Sequence, residues 1–109
     1  MGKYSVLTTG NDISVVCEGT FTMEDAAGYV EEFKKAAAKV NPATSHLVLD
    51  GSGLRVSSQE MVGMLTDIIA MYKDLGFEDI TINLGNSAVV KMQIKRLAKE
   101  AGLTKFKLL

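Results

Sequence analysis

The 109-residue sequence predicts an α/β fold: a mixed, largely parallel sheet of four or five strands with about three helices. Three observations carry this expectation. Short β-branched segments alternate with longer stretches whose apolar residues recur at helical spacing. Gly, Asn, Asp and Pro punctuate the boundaries, and no interdomain linker, internal repeat or low-complexity tract interrupts them. Two strands come first and strand and helix then alternate, giving the order β-β-α-β-α-β-α-(β). The alternation implies right-handed crossovers between parallel strands, and the initial hairpin makes the sheet mixed. Periodicity alone leaves other α+β arrangements open.

Tyr4 to Thr8 and Ile13 to Glu18 are short β-branched segments separated by Thr9-Gly10-Asn11-Asp12, a turn-rich spacer that favours a hairpin. Thr22 and Asp25 form a T-x-x-D start for a helix from Met23 to about Lys39, which Asn41-Pro42 ends. Its expected inner face is Met23, Ala26, Ala27, Val30, Phe33 and Ala37. Leu47-Val48-Leu49 is a short apolar run that predicts a central strand with Val48 buried, and Asp50-Gly51-Ser52-Gly53 is expected to break it. Met61, Met64, Leu65, Ile68 and Tyr72 then share a helical face as far as Gly76, a left-handed C-terminal residue. Helical spacing assigns most of the methionines, Met64 above all, to the core. Glu78 to Leu84 alternates Ile80, Ile82 and Leu84 and reads as a strand. Gly85-Asn86 marks a turn with Asn86 as N-cap, a third helix follows to Gly102, and Leu103 to Leu108 is a short edge strand.

Composition narrows the function classes. The length suits one domain spanning residues 1–109, with a single core. A net charge of −1 gives no general attraction to nucleic acid or to a membrane surface. Lys91, Lys95, Arg96, Lys99, Lys105 and Lys107 gather near the C-terminus and Glu18, Glu24, Asp25, Glu31 and Glu32 in the first third; both clusters read as solvated faces, with docking as the alternative. No apolar run approaches the ~18 residues of a membrane span, and Met1-Gly2-Lys3-Tyr4 lacks a secretory core, so a cytoplasmic location without membrane insertion is expected. Cys17 is the only cysteine and fits a strand position as a small apolar side chain. His46 is the only histidine and opens a strand, which suits a surface role. One Cys and one His do not make a structural zinc set, and no metal or cofactor is expected.

Chemistry concentrates in the segment His46 to Leu65. Ser57 can be an N-cap with Glu60 reaching back to it, the reciprocal S-x-x-E box, which places Ser58 at the first helical position among backbone N–H groups without intrahelical partners. On the residues alone, a serine there is an ordinary cap stabilising by roughly 1 kcal/mol. Met61, in the same first turn, can belong either to the core or to an adaptable binding surface.

This segment resembles the central motif of the STAS domain, the family of bacterial anti-sigma factor antagonists and of cytoplasmic domains of anion transporters. In that family a strand ending in Asp leads through a loop to a D-S-[ST]-G-L turn that opens a helix, and a partner kinase phosphorylates the Ser after the Asp of that turn. Val48-Leu49-Asp50 resembles the strand end, Gly53-Leu54-Arg55-Val56 the loop, and Ser57-Ser58-Gln59-Glu60-Met61 the turn. Ser58 falls on the phosphoacceptor position. Two residues depart from the pattern: Ser57 stands where the family has Asp, and Glu60 where it has Gly. The resemblance extends over Ser5 to Phe106 and implies a STAS-like fold. It also implies a partner-binding face formed by Arg55, Ser57, Ser58, Glu60 and Met61, with an anti-sigma factor or serine kinase as partner.

No enzyme signature accompanies these features. Phosphate-loop and G-x-S-x-G patterns are absent, and the carboxylate pairs Glu24-Asp25, Glu31-Glu32 and Glu78-Asp79 are sequence neighbours whose side chains diverge by about 100° on a helix. The aromatic residues lack the basic interleaving of a nucleic-acid platform. The expectation is a non-catalytic signalling module; the alternative is a small-molecule or lipid-binding α/β domain whose helix-start loop and adjacent apolar helix form the pocket.

Overall fold

The computed structural model describes residues 2–55, 59–86, 88–103 and 106–109, without the side chains of residues 59–61 and 89. Strands β1 (Lys3–Thr9) and β2 (Asp12–Thr20) pair antiparallel with Thr9 opposite Asp12, leaving Gly10-Asn11 as the hairpin turn. Gly10 takes the positive φ (62°) that a two-residue turn of this kind needs at its first position. Helix α1 (Met23–Ala37) leads through a short 3₁₀ turn at Pro42–Thr44 to β3 (His46–Arg55). Helix α2 (Gln59–Leu75), β4 (Asp79–Asn83), α3 (Ala88–Ala101) and β5 (Lys107–Leu108) follow.

The sheet order is β1-β2-β3-β4-β5; β2, β3, β4 and β5 pair in parallel and only the β1/β2 pairing is antiparallel. The fold is therefore α/β with a mixed, partly parallel five-stranded sheet and three α-helices. Strands β3, β4 and β5, laid down side by side in chain order and each reached by a right-handed crossover, place every crossover helix on one face of the sheet. The core lies on that face: Ile13, Val15, Leu47, Ile80 and Ile82 point toward Ala26, Phe33, Ile68, Tyr72, Ile94 and Leu97 of the helices.

The opposite face carries no helix, which overturns one expectation. Val48 sits in the central strand but is 44% exposed. Its cross-strand neighbours on that face are Ser14 and Thr81, and Leu7 and Val16 are exposed on the same face. Leu47-Val48-Leu49 is thus an alternating strand in which Leu47 and Leu49 point to the core.

Local signals set the helix ends. Thr22 caps α1: its Oγ1 accepts from the Asp25 N–H at 3.1 Å and Asp25 Oδ2 accepts from the Thr22 N–H at 3.0 Å, the reciprocal box expected from T-x-x-D. Backbone N–H groups of Thr22 and Gly2 hold the Asp25 carboxyl below the usual range. The inner face of α1 is Ala26, Tyr29, Phe33, Ala36 and Ala37, so Met23 and Ala27, expected inside, are exposed. The helix also ends at Ala37, short of Lys39. Gly76 has the left-handed conformation expected after α2 (φ 76°). Asn86, expected to cap α3, lies two residues before its first residue, and Ser87 between them is outside the described residues.

Beyond α3 the expected strand from Leu103 shrinks to Lys107–Leu108. Leu103 instead closes the helix, donating its N–H to the Ala98 carbonyl at 2.9 Å and burying its side chain. Among the methionines, Met64 and Met71 pack against the core, whereas Met92 is 72% exposed.

Candidate functional site at the β3 to α2 junction

The C-terminal ends of β2, β3 and β4 come together at one rim of the sheet. The expected break at Asp50-Gly51-Ser52-Gly53 is absent, because β3 runs on to Arg55. The cause is non-local. After a register shift between Val16 and Glu18, β2 continues to pair with this stretch: Glu18 with Gly53, Gly19 with Leu54 and Thr20 with Arg55. Gly53 permits it, since a Cβ there would lie 3.0 Å from the Glu18 Cβ. Asp50 also stabilises the path. Its Oδ1 accepts from Ser52 Oγ at 2.8 Å and from the Ser52 N–H at 3.1 Å, and these bonds hold its carboxyl below the usual range.

Arg55, the last residue of β3, is exposed beside a groove of about 480 Å³ that it lines with Lys3, Glu18, Gly19, Thr20 and Gly53. The groove therefore presents two cationic side chains and one carboxylate. Helix α2 begins at Gln59. Ser57 and Ser58, the expected cap and phosphoacceptor, lie outside the described residues, as do the side chains of Glu60 and Met61. The structure thus places Arg55 at the junction and fixes where β3 ends and α2 starts on either side of the serines.

Beneath this rim, between the sheet and the helices, lies a cavity of about 80 Å³. Val15, Cys17, Leu49, Leu54 and Ile82 line it from the sheet, Ala26 and Tyr29 from α1, Ile68 and Tyr72 from α2, and Ile94 from α3. Tyr29 Oη and Tyr72 Oη are hydrogen-bonded at 2.5 Å, both deep in the core. Burial pushes both phenols above their ordinary values, Tyr29 well above, and in Tyr72 the hydrogen bond shared with Tyr29 opposes that rise. The sequence signal for this pair was thin: Tyr72 fell on an apolar stripe and Tyr29 on none, and only the fold brings the two hydroxyls together.

Cys17 is a half-buried packing residue, as expected. Burial, reinforced by the Asp50 carboxylate, pushes its thiol up to about 12. At pH 8 the thiolate fraction then falls on the order of 10³-fold below that of an ordinary cysteine. Iodoacetamide should accordingly label native Cys17 at least ~100-fold more slowly than the urea-unfolded chain. Equal rates, followed by mass spectrometry, would contradict this placement.

His46 opens β3 at the opposite end, exposed between Glu78 (Nε2 to Oε2, 3.8 Å) and Asp79 (Nδ1 to Oδ2, 3.4 Å). These are surface pairs of small energetic weight, as expected for a strand-edge histidine. Among the described residues no group of His, Cys, Asp and Glu could hold a metal ion, and no helix is long and apolar enough to cross a membrane. Lys95, Arg96 and Lys99 are exposed along α3.

No protein-family model and no curated protein matches this chain.

Proposed function

We propose that this protein is a non-catalytic signalling module of the anti-sigma factor antagonist type. Its docking surface runs from Arg55 through Ser57, Ser58, Glu60 and Met61, and phosphorylation of Ser58 by a serine kinase partner weakens docking. The observation that supports this reading is the position of Arg55, exposed at the C-terminal end of the central strand in a groove with Lys3 and Thr20, four residues before the first residue of α2. A side chain so placed is open to a partner without disturbing the core, and arginine is among the residue types that dominate interface energetics. The proposed location is the cytoplasm.

Isothermal titration against a candidate kinase of the anti-sigma type tests the surface. Arg55→Glu should weaken binding by about tenfold to hundredfold with an unchanged circular dichroism spectrum, whereas Lys95→Glu on α3 should leave it within about twofold. The reverse ranking would move the interface to the basic helix.

The second reading, a small-molecule or lipid-binding domain, draws support from the cavity under the rim. At about 80 Å³ that cavity is far smaller than the roughly 300–1,000 Å³ of drug-sized ligand sites, which disfavours a lipid.

A further inference from the structure

We propose that the helix-free face of the sheet binds a second copy of this chain, the two sheets packing face to face about a two-fold axis. The inference does not rest on the docking reading. Parallel strands are ordinarily covered on both faces, whereas β2, β3, β4 and β5 pair in parallel here with helices on one face alone. The bare face is not uniformly polar. Val16 is the diagonal neighbour of both Leu7 and Val48 on it, and all three side chains are exposed.

The charges around this apolar patch select the occupant. Register places Lys3 on the β1 margin and Lys107 on the β5 margin, with Glu18 at the C-terminal end of β2 and Asp79 at the start of β4, all on the bare face. Such a face complements itself. With strands ~4.8 Å apart and residues ~3.3 Å apart along them, a two-fold axis passing diagonally between Val16 and Val48 sets Val16 against Val48 of the second copy. The same axis brings Leu7 to its own counterpart, Lys3 to Asp79 and Lys107 to Glu18, each pair made twice. The strands of the two sheets then cross steeply, as in orthogonal sheet packing. Among the described residues no ion pair within the chain occupies Lys3, Glu18 or Lys107. Asp50, near the axis, has its carboxylate turned along its own strand by the two bonds from Ser52. A net charge of −1 opposes self-association little. Five strands and seven residue positions span roughly 24 Å by 20 Å, the low end of specific interfaces, so a micromolar Kd is expected.

Analytical ultracentrifugation of the protein alone, from about 10 µM to about 1 mM, tests this, and a monomer–dimer equilibrium is expected. Because no kinase is present, the result is independent of the docking reading. Val48→Lys, at an exposed position, should weaken the dimer at least about tenfold with an unchanged circular dichroism spectrum. Lys3→Glu should weaken it about 3- to 10-fold, and adding Asp79→Lys should restore it to within about twofold. Lys3 and Asp79 lie at opposite corners of the sheet, three strand spacings or at least ~14 Å apart, so only a second copy can deliver that rescue. A single species of monomer mass at every concentration would overturn the proposal. So would a dimer indifferent to Val48→Lys, which would move the contact to another surface such as the β1 edge, or a double variant as weak as Lys3→Glu.

Discussion

Phe33→Ala is expected to lower the free energy of unfolding by about 3–5 kcal/mol, read as a shift of the urea midpoint at unchanged slope. Phe33 is fully buried on the inner face of α1. Its ring centroid lies 5.0 Å from Tyr72, 5.9 Å from Tyr29 and 5.9 Å from Phe77, so one side chain joins α1, α2 and the segment before β4. Truncation removes the transfer free energy of the ring and leaves a void that three aromatic neighbours, each held by its own contacts, cannot collapse to fill. A domain of this size has roughly 5–15 kcal/mol in total, so the variant should be marginal at 37 °C. A loss below about 1 kcal/mol would mean that α1 does not pack on α2 through this residue.

Gly85→Val should cost about 2–4 kcal/mol, and the cost should exceed that of Gly10→Val. Both glycines have positive φ, 66° and 62°, a conformation that costs an L-residue about 1–2 kcal/mol. They differ in surroundings. A Cβ at Gly10 meets nothing within 4 Å, whereas at Gly85 it lies 3.3 Å from Ser52 Cβ and 3.6 Å from Ser52 Cα. Gly85 also donates its N–H to Asn83 Oδ1 at 3.0 Å, fixing the turn between β4 and α3 against the end of β3. The extra bulk therefore presses on the strand that carries Arg55. Equal costs at the two positions, by thermal or urea unfolding, would show that the β4 turn and β3 are not in contact.

How much of this was legible in the sequence depended on how local each cause is. The start of α1 was readable because Thr22 and Asp25 satisfy each other three residues apart, and the end of α2 because Gly76 alone suits a left-handed residue. The course of β3 was not. Asp50-Gly51-Ser52-Gly53 has the composition of a turn, and only pairing with β2, more than thirty positions earlier, makes it strand. Val48 was misread for a related reason. Its apolar neighbours suggest burial on both faces, but the sequence does not state strand order, and sequential order is what leaves one face without helices. Ser14 and Thr81, its polar neighbours across the sheet, were the available hint. Of the candidate site, Arg55 was expected in a loop and is instead the exposed last residue of β3, while Tyr72 fell on the stripe of α2 and Tyr29, 43 positions away, on none, so that nothing local showed that their hydroxyls would pair.

Phosphorylation of Ser58 is the proposed switch. A phosphate there would add about −1.5 to −2 charges at the start of α2, where the helix dipole and free N–H groups favour an anion, so the fold itself should tolerate it. The effect should fall on the partner, which meets a docking face turned anionic beside Glu60. The direct measurement is to incubate the protein with a candidate serine kinase and ATP, map the phosphosite by mass spectrometry and titrate both forms against the partner. The expected result is stoichiometric phosphate on Ser58, none in Ser58→Ala, and at least about tenfold weaker binding of the phosphorylated form. Phosphate on Ser57 instead, no modification beside a kinase that phosphorylates its control substrate, or equal affinity of the two forms would contradict it.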